Sequence, residues 1–218
     1  MQTIDWRLFE LVNGLAGHVH ALDSLMKLCA SSLEYALLVL VGTLWITPAE
    51  SDGASAARQR IVIYALLAAL LALGVNQVIS HIWFRPRPFA HHSVTLLVPH
   101  AADASFPSDH AAGGFALAAS VWLAVDRWAR RLGWLLLALA AVLALARVYI
   151  GVHYPFDVIG GALIGAATAW LVWLARTPLD LAVAPLLRPA HRLTTAVLDR
   201  AGAGRWQVAA GGMRPTPR

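Results

Sequence analysis

The chain has 218 residues, 59% of them hydrophobic and 13% charged, with a formal net charge of +5 and a mean hydropathy of +0.63. A water-soluble domain of this length needs more polar surface, so the composition excludes a soluble globular enzyme. The arginines fall in short clusters between apolar runs rather than along one amphipathic face, which excludes a nucleic-acid binder and leaves membrane topology as the source of the charge.

The first residues, Met1-Gln-Thr-Ile-Asp-Trp-Arg-Leu-Phe-Glu, lack the basic start and apolar core of a cleaved signal peptide, so the first spanning helix is expected to target the chain. Ile4, Leu8, Leu11 and Leu15 recur at helical spacing with Asp5, Arg7, Glu10 and Asn13 between them. That pattern predicts an amphipathic helix over 4–16 lying at an interface, too polar to span; its crossing, for six spans in all, is the alternative. Apolar runs long enough for a hydrocarbon layer of about 30 Å then predict a first span over 29–46, which Trp45 and Pro48 end. A polar loop is expected at 49–60, followed by a second span over 61–84. Asn76, Gln77, Ser80 and His81 in its last third suggest a helix end facing a hydrated site.

A long loop over 85–107 carries His91, His92, His100 and Asp103. The third span is predicted from Ser108 to about Val125, the fourth over 132–150 after a basic loop with Arg127, Arg130 and Arg131, and the fifth from Pro155 to just before Arg176. Residues 177–218 read as a tail, amphipathic near 179–198 and then disordered. Cys29, the one cysteine, leaves no internal disulfide and no Cys-based metal site. The predicted architecture is an all-α polytopic membrane bundle: an interfacial segment over 1–21, a membrane-embedded domain over 22–176 with five spans, and a cytoplasmic tail. No sequence repeat points to a repeat-built transporter.

With five spans, Arg58 and Arg60, then Arg127, Arg130 and Arg131, then Arg176, Arg188 and Arg192 share one side. Arginine excess marks that side as cytoplasmic, and Trp45, Trp122, Trp128, Trp170 and Trp173 belt its boundary. The 85–107 loop and the stretch Arg147-Val-Tyr-Ile-Gly-Val-His153-Tyr-Pro-Phe-Asp157 then meet on the opposite face. Ionisable residues at such a depth are costly and functional by default. Asp157, four residues after His153, can accept from one ring nitrogen and leave the other to attack an electrophile. The bland alternative is a capping pair beside an arginine that snorkels to the headgroups.

Two further pieces share that face: Arg85-Pro-Arg87-Pro88 and Phe106-Pro107-Ser108-Asp109-His110. Ser108 is a predicted N-cap, and the first N–H groups of the helix it opens suit an oxyanion. Arg87 and Arg147 can each grip phosphoryl oxygens through two parallel hydrogen bonds. The set supports phosphoryl transfer inside a cationic cup, with His153 attacking phosphorus, His110 protonating the leaving oxygen, and water hydrolysing the phosphohistidine. No metal or cofactor is required; His91, His92 and His100 lack carboxylates at a spacing that would make a zinc site.

Arg87-Pro88, Pro107-Ser108-Asp109-His110 and Arg147-x5-His153-x3-Asp157 resemble the three-part signature of the type 2 phosphatidic acid phosphatase superfamily, which also contains vanadium haloperoxidases. The resemblance covers about residues 22–176. It implies His153 as nucleophile, His110 as acid, Asp157 as orienting carboxylate, and Arg87, Pro107, Ser108 and Arg147 around the phosphate. One departure stands out. The family lysine seven residues before the second arginine is Ser80 here, and Lys27 is the only lysine. Arg85 is expected to supply the missing charge at the phosphate, the alternative being an outward-facing loop cation. Asp109 replaces a common glycine, and with Arg85-Pro-Arg-Pro-Phe it makes the chain similar to bacterial undecaprenyl-diphosphate phosphatases; Asp109 is expected to turn toward Arg85, another cation or water.

These resemblances imply an inner-membrane enzyme with its site outside the cytoplasm and a lipid diphosphate as partner, in contact with the bilayer and with no nucleic acid. Other lipid phosphates remain open as substrates. A non-catalytic transporter or flippase for anionic lipids explains the arginines but not the two histidines.

Overall fold

The computed structural model describes residues 2–47, 51–200, 206–209 and 212–215. The expected exit signal at Pro48 lies outside these residues, as do parts of the tail and the side chains of Arg188 and Arg192. The helices are α1 (Gln2–Asn13), α2 (His20–Ile46), α3 (Asp52–Ile82), α4 (Pro88–His91), α5 (Asp109–Trp122), α6 (Arg127–Tyr149), α7 (Pro155–Leu174) and α8 (Arg176–Arg200). An antiparallel hairpin, β1 (Trp206–Ala209) with β2 (Gly212–Pro215), follows in register Trp206 to Pro215.

Four helices are long and apolar enough to cross a bilayer: α2, α3, α6 and α7. The predicted third span is shorter than the others. At 14 residues, α5 rises about 21 Å, less than a hydrocarbon layer of about 30 Å. The apolar run misleads there because Leu123 already caps α5 and Asp126 caps α6, its carboxylate accepting from Ala129 N at 2.7 Å. Small, fully buried residues make α5 the central post: Ala111, Ala112, Ala116 and Ala118 are all sealed between neighbouring helices.

The expected polar loop at 49–60 is mostly helix. Ser51 accepts from Ala54 N at 3.2 Å and starts α3 early, as an N-cap does. Likewise α2 begins at His20, not near Cys29.

Two glycines of α7 set the spacing that the site depends on. A Cβ at Gly161 would lie 2.4 Å from the Ser108 carbonyl oxygen, and one at Gly165 would lie 2.2 Å from that of Ala112. Only hydrogen fits at either place, so the α5 and α7 backbones touch, in the manner of small-residue crossings between membrane helices. The apolar core beneath includes Leu37, Leu44, Val121, Leu136 and Leu143, all fully buried.

Helix direction alternates. The end of α3, the start of α5, the end of α6 and the start of α7 gather at one face, where Ser108 N donates to the Asp157 carbonyl at 3.1 Å. The far face joins Arg58 to Asp126 at 3.1 Å and carries α8, whose Thr194 accepts from Trp45 Nε1 at 3.1 Å and whose Asp180 accepts from the Tyr64 hydroxyl. Meanwhile α1 packs Phe9 inward and leaves Ile4, Leu8 and Leu11 exposed, an amphipathic disposition. Gly151, at φ +89, turns the chain from α6 into the loop before α7; a left-handed residue is accommodated there without Cβ strain.

Candidate active site

A cavity of about 610 Å³ opens at the gathered face, lined among others by Arg87, His100, Asp109, His110, Arg147 and His153. The three separated motifs therefore contribute to one space. His153 is buried, and its Nδ1 lies 2.9 Å from the Ser105 carbonyl oxygen. A carbonyl can only accept, so Nδ1 carries the proton and Nε2 keeps its lone pair. Arg87 Nη1 donates to that nitrogen at 3.1 Å and to the Val152 carbonyl at 2.9 Å. Burial pushes the His153 imidazole down to about 4, with the nearby guanidinium of Arg87 adding to the effect and Asp157 opposing it. A neutral imidazole is what nucleophilic attack needs.

The expected His153–Asp157 hydrogen bond is not formed; Nδ1 and Asp157 Oδ2 stand 3.7 Å apart. Asp157 acts on the ring through its charge and through an intermediary. Its carboxylate accepts from Ser105 Oγ at 2.5 Å, from Tyr154 N at 2.8 Å and from Arg85 Nη1 at 2.7 Å. The reason is local: at the third position of α7, Asp157 satisfies the N–H of its own cap residue, as acidic residues in a first turn do. Ser105, which no sequence argument singled out as functional, bonds both partners: its hydroxyl holds Asp157 and its carbonyl holds His153.

Arg85 does not supply charge to the cavity. Its other Nη2 donates to Asp5 Oδ2 at 2.6 Å, its guanidinium lies 4.1 Å over the Tyr154 ring, and Asp5 also accepts from Phe156 N at 2.9 Å. Arg85 is thus neither a phosphate ligand nor an outward-facing loop cation; it fastens α1 to the start of α7. Asp109 likewise turns to neither a cation nor Arg85. Asn76 Nδ2 and Gln77 Nε2 of α3 donate to it at 2.9 and 3.4 Å, because the neutral amides at the end of that helix are the donors within reach.

Arg87 and Arg147 flank the cavity as expected, and each is steered by a loop residue. Asp103 accepts from Arg87 Nε at 2.6 Å. Burial acts to raise the Asp103 carboxyl, but the bond to Arg87, the charge of that guanidinium and the nearby His100 together outweigh it, and the group sits below the usual carboxylate range. His100 Nε2 accepts from Arg147 Nη2 at 2.9 Å while its Nδ1 faces the Ala101 carbonyl at 3.1 Å. Burial, then the two arginines, hold the His100 imidazole below its ordinary value, so it serves as an acceptor. Two arginines and two carboxylates, Asp103 and Asp109, line the cavity, and the expected cationic cup is close to balanced in fixed charge. His92 stacks on Trp6 at 3.9 Å, away from His100, and no group of three His, Cys, Asp or Glu side chains suited to a metal occurs among the described residues.

Ser108 stands at the N-cap of α5 as predicted, but its hydroxyl makes no capping bond. Its Oγ and Arg147 Nε are buried polar atoms without a hydrogen-bond partner among the described residues. Native structures leave few such atoms, and each asks for an explanation. Pro107 and Ala104 also line the cavity, and the Phe106–Pro107 peptide is cis. His110, in the first turn of α5, places Nε2 3.0 Å from Glu34 Oε2 of α2. Glu34 was not singled out by sequence; a charge inside an apolar helix was the available signal.

Beyond His110 and Asp109 an apolar groove of about 340 Å³ runs between α2, α3 and α5, lined by Leu37, Leu38, Leu73, Gly113 and Leu117. The site can therefore hold an anion in the cavity while an apolar chain lies along the groove.

Comparison with known proteins agrees with this geometry. The model of the PAP2 superfamily matches residues 61–179. The chain is 34% identical over 186 residues to "Undecaprenyl-diphosphatase BcrC" of Bacillus subtilis (strain 168), covering 83% of this chain and 90% of that protein. It is 35% identical over 180 residues to "Putative undecaprenyl-diphosphatase YbjG" of Escherichia coli (strain K12), covering 80% and 85%. Among solved structures, that of Aquifex aeolicus LpxE superposes with a TM-score of 0.64 at 27% identity, over 78% of this chain and 94% of that one.

Proposed function

The chain belongs to the PAP2 superfamily and is a membrane lipid phosphatase, and on that premise we propose that it hydrolyses an isoprenyl diphosphate, undecaprenyl diphosphate above all, to the lipid monophosphate and inorganic phosphate. The names of its relatives support the substrate. One observation carries the chemistry: the buried His153 has its proton committed to Ser105, which leaves on Nε2 a lone pair that accepts from Arg87 here and that attacks phosphorus once the guanidinium turns to the phosphate. The unpartnered Arg147 Nε and Ser108 Oγ are the donors that a bound phosphoryl group would satisfy.

In this reading Nε2 of His153 bonds to the terminal phosphorus while the bond from phosphorus to the bridging oxygen breaks. The electron pair stays on that oxygen, and His110 supplies its proton. Water then attacks the phosphohistidine, returns a proton to His110 and frees phosphate. Arg87, Arg147 and the α5 N-terminus stabilise the charge spread over the equatorial oxygens. No metal takes part. The isoprenyl chain lies in the groove beside Leu37, Leu73 and Gly113, reached from within the bilayer.

Five crossings are proposed, α5 completing the third with the short segments that flank it. Arg58, Arg60, Arg127, Arg130, Arg131 and Arg176 belong to the far face, which by the positive-inside rule supports a site on the outer side of a bacterial inner membrane. Other lipid phosphates are the second reading, since nothing in the lining of the groove beside Leu37 and Leu73 demands an isoprenoid.

The test is phosphate release by the purified protein from undecaprenyl diphosphate, alongside His153→Ala and with chelator or vanadate. Release by the wild type that resists chelator, yields to vanadate and is lost in His153→Ala is expected. Equal release by the variant removes the nucleophile, and a strict metal requirement removes the mechanism.

A further inference from the structure

We propose that Glu34 is a positioning residue for catalysis, fixing the His110 ring so that one nitrogen keeps its proton on the carboxylate while the other serves the leaving oxygen. The inference rests on the phosphatase reading and extends it to α2, a helix that carries none of the three motifs.

The argument starts from cost. Glu34 lies within α2, a helix apolar enough to span a bilayer, where a carboxylate is expensive to insert. Such groups persist when paired, and the partner here is His110 Nε2 at 3.0 Å. An ionised carboxylate only accepts, so it requires the hydrogen on Nε2 and leaves Nδ1 for the substrate. Both side chains are only partly covered, His110 at 31% and Glu34 at 38% exposure, and both border the apolar groove, while His110 also lines the catalytic cavity. The pair therefore sits where the phosphate-holding cavity passes into the groove, which is where the bond from the terminal phosphorus to the bridging oxygen must break. The other acidic residue of α2, Asp23, is committed elsewhere: it accepts from Gly17 N at 3.1 Å and from the Tyr149 hydroxyl at 2.8 Å.

A role confined to holding α2 against α5 is the competing account, and three readouts separate the two in the full-length protein in detergent. The first is the leaving group. Dodecyl phosphate expels an alkoxide that needs a proton, whereas 4-nitrophenyl phosphate expels a phenolate that leaves without one. Glu34→Ala is expected to lose about 10- to 10²-fold on the alkyl ester, within the usual reach of general acid catalysis, and far less on the nitrophenyl ester. Equal loss on both overturns the proposal. The second is coupling: in a His110→Ala background, Glu34→Ala is expected to cost nothing further, and additive costs overturn it. The third needs no turnover. Imidazole ¹⁵N shifts are expected to report the Nε2-protonated form of His110 in the wild type and its loss in Glu34→Ala, with Glu34→Gln, which keeps an acceptor, retaining it. An unchanged ring in Glu34→Ala overturns the proposal. A wild type that releases phosphate from neither ester nor from undecaprenyl diphosphate, yet shows the ring signature, rejects the phosphatase reading while upholding the pair.

Discussion

The two imidazoles of the cavity are built in opposite ways. His153 is 2% exposed and held from both ring nitrogens, by Ser105 and Arg87, with Asp157 and Arg85 bracing the residues that hold it. His110 is about a third exposed and leans on one carboxylate from another helix. A nucleophile must keep one direction and stay unprotonated, and deep burial in a dense network provides both. A proton donor must be recharged after each turnover, and partial exposure lets solvent do that.

The largest expected effect breaks the buried half. His153→Ala should reduce phosphate release by at least about 10³-fold, with His110→Ala costing less when the leaving group is nitrophenolate; acid catalysis of this kind is worth about 10²- to 10⁴-fold. Comparing the two variants on the two esters checks it. Arg147→Lys should follow, with a loss of about 10²-fold in kcat, since a lysine keeps the charge but cannot imitate the paired donors. Steady-state kinetics on a lipid phosphate reads that loss.

A third test addresses the bracing. Asp5→Asn and Arg85→Ala should each lower thermal stability, and the double variant should fall well short of the sum, because the first change already unlinks the pair. Melting curves of the four proteins in detergent decide it. The smallest effect is in pH. An imidazole ordinarily titrates near 6.5 and His153 does so near 4, so between those values the unfolded chain takes up a proton that the folded one refuses. Stability from this group is complete above pH 6.5 and declines as pH falls toward 4. Turnover should nevertheless keep its nucleophile across that window, and a kcat profile falling steeply near pH 6.5 in wild type but not in a phosphohistidine-formation assay would assign the limb to another group.

Much of the site was legible because its motifs carry chemistry in short spacing. Arg87, Pro107, His110, Arg147 and His153 all line one cavity, with Ser108 and Asp157 immediately behind it. What stayed hidden depends on distant partners. Nothing near Arg85 in the chain says that Asp5 will take half its charge, and nothing near Asp109 says that amides of α3 will meet it. Glu34 and His110 meet across α2 and α5, a relation no local pattern encodes. Helix ends failed for a related reason: hydropathy marks where apolar residues run, whereas Ser51, Leu123 and Asp126 decide where the backbone turns.

The two close glycine contacts have a further consequence for evolution of the chain. Because the α5 and α7 backbones touch at Gly161 and Gly165, any larger side chain there would wedge apart the helix starts that carry Ser108 and Asp157, and so would disable two of the motifs without altering a residue of either.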